Sequence, residues 1–152
     1  MIELEYNDAQ VSAALAELFE AVASPVEAMQ DIGEFMVMST KERFPLGTAP
    51  DGTPWAPNSP VTLARKRDPR PLFGESGRLS SQIFYEADGG GVAWGSPAIQ
   101  SAVMQFGAPK GSLGPNAPWG DIPARPFLGV SETDKDAIID IVHEALARAL
   151  AP

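Results

Sequence analysis

The stretch Asp121-Ile122-Pro123-Ala124-Arg125-Pro126-Phe127-Leu128-Gly129-Val130-Ser131, preceded at a distance by Gln105-Phe106-Gly107, sets the architecture expected of this chain. Pro123 and Pro126 fix their own φ at about −65° and push Ile122 and Arg125 toward extended geometry. The segment is therefore stiff before it packs. Phe127-Leu128-Gly129-Val130 reads as a short strand, and Ser131 with Asp134 has the spacing of a capping box that opens a helix. A rigid elbow thus delivers Arg125 to a fixed place between a strand and a helix. That last helix is expected from about Glu132 to Leu150, with Ile138, Ile139, Ile141, Val142, Ala145, Leu146, Ala149 and Leu150 turned inward.

Upstream of the elbow, Ala108 to Gly120 is rich in Gly and Pro, low in charge, and carries Trp119. Such a composition cannot bury a core of its own and predicts a flexible arm that orders against something else. Before it, Ser96-Pro97 starts a helix from Ala98 to about Phe106, with Ile99, Val103 and Phe106 on one face and Gly107 at its end. Further back, Leu79 to Ala87 turns from a helical start into a strand. Asp88-Gly89-Gly90-Gly91 tolerates positive φ, so Val92-Ala93-Trp94-Gly95 returns antiparallel as a hairpin.

At the other end of the chain, Ile2-Glu3-Leu4-Glu5-Tyr6 alternates apolar and acidic residues, the period of a half-buried edge strand. From Asp8, placed as an N-cap, Val11, Leu15, Leu18, Phe19 and Val22 recur at helical spacing. Ser24-Pro25-Val26-Glu27 combines a cap, a first-turn proline and a glutamate at N3, and so predicts a second helix. It buries Met29, Ile32, Phe35 and Met36, carries Ser39 and Arg43 along the same stripe, and stops at Pro45. Met29, Met36 and Met38 read as irregular core filling, with an adaptable docking surface as the alternative. The expected fold class is α+β, helices packed on a small antiparallel sheet, in one domain over 1–152 with flexible loops at about 46–60 and 107–121.

The first of those loops contains Pro50, Pro54, Pro57 and Pro60 around Trp55, its expected anchor. Own-domain packing of Trp55 is the first expectation and insertion into a neighbour the second. Ser59-Pro60 starts a short helix with Leu63 on one side and Arg65, Lys66 and Arg67 on the other. Together with Arg70 and Arg78 these make five of the eleven basic residues within fourteen positions. That cluster marks either a contact with an acidic surface or DNA phosphate, or a solvated face.

Composition bounds the rest. A chain of 152 residues with 44% hydrophobic and 20% charged residues can bury one ordinary core. Twenty acidic against eleven basic residues give a net charge of −9, the wrong sign for gripping nucleic acid over a whole surface. Acidity suits solubility, or a surface that DNA passes without sticking. Cysteine is absent, which removes disulfides and thiolate metal sites. No basic leader precedes an apolar run, and no run approaches the roughly 18 residues of a membrane span.

Catalytic patterns fail one by one. The sole histidine, His143, lies at helical spacing from Ile139 and Leu146 and reads as a residue at the border of a core. A second histidine for a metal pair is missing, Lys110-Gly111-Ser112 reverses the phosphate-loop order, and Gly74-Glu75-Ser76-Gly77 is one residue short of a hydrolase elbow. No catalytic, metal or cofactor residues are therefore expected.

The run Ile122 to Gly129 after Gln105-Phe106-Gly107 resembles the phage virion morphogenesis, or tail-completion, family of P2-like and Mu-like phages. Gly52-Thr53-Pro54-Trp55, Thr62-Leu63-Ala64-Arg65-Lys66, Leu72-Phe73 and Ser76 to Ile83 follow in the family's order, so that the resemblance covers roughly Phe35 to the C-terminus. The family often has histidine before Gln-Phe-Gly; Met104 stands there, and no role for that histidine carries over. The resemblance implies a structural, non-enzymatic virion protein, made in the host cytoplasm and located at the neck or tail end. There it would act in tail completion and head-tail joining as a homo-oligomeric ring, most simply a hexamer, beside neighbouring virion proteins. No cofactor and no membrane partner are expected from the residues, and the net charge allows at most passing contact with genomic DNA. A non-ring scaffolding or capping module binding another virion protein is the alternative, and a hydrolase the third reading. Interface residues are expected at Trp55, Arg65, Lys66, Arg67, Arg70, Trp119, Arg125 and Phe127.

Overall fold

A computed structural model of the chain describes residues 3–74 and 76–152. In chain order the elements are α1 (Ala9–Ala21), α2 (Val26–Leu46), α3 (Pro60–Arg65), α4 (Arg78–Ser81), β1 (Phe84–Ala87), β2 (Val92–Gly95), α5 (Ser101–Phe106) and α6 (Glu132–Leu150). β1 and β2 pair antiparallel, Tyr85 opposite Trp94 and Ala87 opposite Val92. The fold is α+β, with helices outweighing a two-stranded sheet.

Local signals account for most of these boundaries. Asp8 caps α1 by accepting from the Gln10 and Val11 amides, and its other oxygen meets Lys135 Nζ at 2.9 Å. The first turns of α1 and α6 are thereby tied together. α6 opens with a reciprocal capping box between Ser131 and Asp134. α3 begins at Pro60, with the Ser59 hydroxyl accepting from the Thr62 amide.

α2 is the long central element. One end contributes Ala28, Met29, Ile32 and Met36 to a cluster with Val11, Ala14 and Leu18 of α1 and Ile138 and Val142 of α6. The other end places Phe44 in a second cluster with Trp55, Leu79, Ile83, Phe127 and Leu128. Met29 and Met36 are thus core residues, as expected, and Met38 is exposed. The hairpin lies on α2 so closely that a Cβ at Gly33 would sit 2.3 Å from the Tyr85 ring. Trp94 packs against both clusters.

Several expectations need correcting. Residues 3–6 form no strand, because no neighbour supplies a backbone ladder for their alternating pattern; Ile2 lies outside the described residues. α2 starts after Pro25 without a side-chain cap from Ser24 and runs past Pro45, which sits in its last turn. Termination falls at Gly47, whose φ of 67° sends its amide back to Arg43 O. α5 is shorter than its apolar pattern suggests. Its inward residues are Ser101 and Gln105, while Ile99 is 98% exposed and Phe106 is exposed as well. Leu63, Phe19, Ala149 and Leu150 are also exposed.

Phe127-Leu128-Gly129-Val130 is extended but belongs to no sheet. Side chains take the place of a neighbouring strand. Gln105 Oε1 accepts from the Phe127 and Leu128 amides at 3.1 and 3.0 Å, and its Nε2 donates to Leu128 O at 3.0 Å. From the other side Arg43 donates to Phe127 O and Gly129 O. The buried backbone of this segment is thereby satisfied without a ladder.

Candidate assembly surface

The elbow is held by a polar network that no local pattern announces. Arg43 lies buried under α6 and donates to Asp134, which also accepts from Ser39 Oγ and from the Ser131 amide. One carboxylate thus closes the α6 cap and binds α2 to the elbow. Burial lowers the pKa of the Arg43 guanidinium, and the Asp134 charge opposes that shift.

Arg125, expected at an interface, instead donates to Ala56 O at 2.7 Å and Pro57 O at 2.9 Å of its own chain. Its own amide bonds Met104 O. Burial moves its pKa down, and its fork bridges two backbone carbonyls. Trp55, 6% exposed, stands edge-on to Phe44 and donates Nε1–H to Pro126 O at 2.7 Å. Phe127 is wholly buried against Phe44. Three of the expected interface residues, Trp55, Arg125 and Phe127, therefore face their own chain. They fix loop 46–60 onto the elbow.

The second loop contrasts with this. Ala108 and Ile122 form a two-bond bridge, and Asp121 Oδ1 accepts from the Lys110 amide, which closes the base. Gly107 makes that closure possible: at φ 73° a Cβ would lie 2.7 Å from Ile122 O. Beyond the base, Gly111 to Gly120 carries no charge, and its backbone bonds are confined to successive turns. Trp119 is 51% exposed and Leu113 is also exposed.

The basic residues are likewise turned outward. α3 buries no residue and leaves Val61 and Leu63 exposed beside Arg65 and Arg67. Lys66 donates to Arg70 O; partial burial lowers its pKa, with Asp68 opposing. Arg70 grips Asp68, whose carboxyl is lowered to about 2, and lies 3.7 Å over the Phe73 ring. Arg65, Arg67 and Arg78 are the exposed cations of the cluster for which no ion pair is found among the described residues.

A groove of about 1470 Å³ opens between residues 3–6 and the hairpin, its accessible apolar lining made of Leu4, Tyr6, Leu15, Phe19, Phe84 and Trp94 above the buried Val11, Met29 and Ile138. The Asp88 amide bonds Gly91 O, so by antiparallel alternation the amides and carbonyls of Val92 and Trp94 point away from β1. That edge of β2 borders the groove. Trp94 Nε1 is buried there with no hydrogen-bond partner among the described residues.

Among the described residues no three carboxylates or histidines converge on a metal-sized site, and no helix is long and apolar enough to cross a membrane. His143 is exposed on α6. What the sequence missed most plainly is Gln105, whose three bonds shape the elbow. Its signal is its place two residues before Gly107, the glycine that the close approach of Ile122 requires.

Residues 6–147 match the family described as the phage virion morphogenesis family. Mu-like prophage FluMu G protein 2 of Haemophilus influenzae is 28% identical over 145 residues, covering 95% of each chain. Putative capsid assembly protein G of Escherichia phage Mu is 29% identical over 120 residues, 76% of this chain and 75% of that one. No solved structure matches the chain at a significant level. With the match spanning both hydrophobic clusters, the elbow and the arm, the chain belongs to the phage virion morphogenesis family.

Proposed function

We propose that this chain is a structural component of the virion neck or tail end, acting in tail completion and head-tail joining as a homo-oligomeric ring, with a hexamer the simplest closed form. The observation that carries the reading is the arm: an uncharged, tryptophan-bearing loop, closed at its base, with Leu113 and Trp119 exposed and no hydrogen bond to the body beyond that base among the described residues. Aromatic residues on a pre-closed loop suit capture by a flanking virion protein at low ordering cost. The net charge of −9 fits a ring that DNA passes with only transient contact.

Deleting residues 111–120 tests the proposal. The variant is expected to fold like the parent and to accumulate incomplete particles that the intact chain completes when added back. Normal infectious yield from the deletion contradicts it. A second reading, a non-ring scaffolding or capping module, draws on the name of the phage Mu relative, a putative capsid assembly protein. It predicts that the chain is missing from purified mature virions, whereas the ring reading predicts several copies per particle.

A further inference from the structure

The groove and the α3 segment have complementary chemistry, and one molecule does not satisfy both. The groove has an apolar floor, and its charged lining residues are Glu3, Glu5 and Glu86, with no lysine or arginine among them. The α3 segment is the converse: exposed Val61 and Leu63 followed by exposed Arg65 and Arg67, on a helix that buries nothing. The two surfaces also lie over different parts of the body. The groove floor belongs to the cluster of α1, α2 and α6, whereas the α3 segment is moored through Leu72 and Phe73 to the cluster around Trp55 and Phe127.

We infer that the α3 segment of one copy docks in the groove of the next, Val61 and Leu63 on the apolar lining and Arg65 and Arg67 against the glutamate rim. Two different patches in contact make a heterologous, head-to-tail interface, the kind that closes into rings. The inference rests on the homo-oligomer proposed above and names the surfaces that would build it. Opposite charge steers the encounter and fixes the register, while apolar contact supplies the burial.

The chain has no cysteine, so single introduced thiols report contact directly. Val61→Cys and Ala93→Cys chains, mixed in equal amounts under mild oxidation, are expected to give a disulfide-linked heterodimer. Val61→Cys mixed with Ala147→Cys, an exposed position on α6, serves as the background. Adding Arg65→Glu and Arg67→Glu to the Val61→Cys chain should lower the linked product about tenfold, because like charges then face one another across the interface. Adding Glu5→Arg and Glu86→Arg to the Ala93→Cys partner should restore it. A Val61–Ala93 yield no higher than background overturns the docking, as does a yield indifferent to charge reversal.

Native mass measurement of the parent chain separates this failure from failure of the ring. Closed oligomers without the cross-link would leave the ring standing and sink these surfaces. A charge-dependent cross-link in open chains or dimers would do the reverse. If deletion of residues 111–120 alone abolishes the cross-link while charge reversal does not, the arm is the occupant and the inference is wrong.

Discussion

Loops 46–60 and 107–121 have almost the same composition and opposite fates. Both are built from glycine and proline around one tryptophan. In the first, Trp55 is buried on Phe44 and its ring donates to Pro126 O, while Arg125 reaches across from the elbow to hold Ala56 O and Pro57 O. In the second, bonds to the body stop at the base and Trp119 stays in solvent. Gly and Pro content therefore sets only how a loop turns. Whether it becomes body or appendage depends on a distant cation and carbonyl being in place to receive it.

The contrast is sharpest for one substitution made twice. Trp55→Ala empties a packed aromatic site and leaves Pro126 O without its donor, and is expected to cost about 3–5 kcal/mol in denaturant unfolding. Trp119→Ala should change stability by no more than about 0.5 kcal/mol and act on assembly instead. Equal losses at the two positions would erase the distinction. Arg43→Ala is expected to fall in the higher range, about 3–5 kcal/mol, since it strands the buried Asp134 carboxylate beneath the elbow.

Arg125→Ala is a milder break. It leaves Ala56 O and Pro57 O without a donor at a half-closed site, a loss of about 1–3 kcal/mol, and should loosen loop 46–60 before the rest unfolds. Fluorescence of Trp55 reports that loosening if Trp94 and Trp119 are first replaced. The smallest effect is one of pH. The Thr53 backbone and side chain hold the Asp51 carboxyl below its ordinary value of 3.8. A depressed carboxylate stabilises the folded turn above the ordinary value, and that contribution is lost as pH falls through the lower, folded one. Acid should therefore shift the Thr53 amide resonance at a pH below 3.8, and Asp51→Ala should remove the shift.

Where a residue's task is local, the sequence announces it. The Ser131–Asp134 box, the Asp8 and Ser59 caps and the triple-glycine turn of the hairpin all appear where short-range chemistry puts them. Where a task depends on a partner far along the chain, it stays hidden. Gln105 looks like one polar residue in an apolar helix until the elbow, 22 residues on, presents amides to its side chain. That also explains why 127–130 reads as a strand. Its residues are extended and buried like one, but side chains of Gln105 and Arg43 stand where the neighbouring strand would be. The apolar face of α5 misleads for a related reason, since burying Gln105 turns Ile99 and Phe106 to solvent.

Amide hydrogen exchange on the free chain and on assembled particles tests the central claim most directly. Ala49 and Trp55, whose amides bond Thr53 O and Gly47 O, should be protected nearly as well as the core in both states. Leu113, Asn116 and Trp119 should exchange within about tenfold of unstructured peptide in the free chain and slow markedly in the particle. Protection of the arm equal to that of loop 46–60 in the free chain, or no change in it on assembly, would contradict the account.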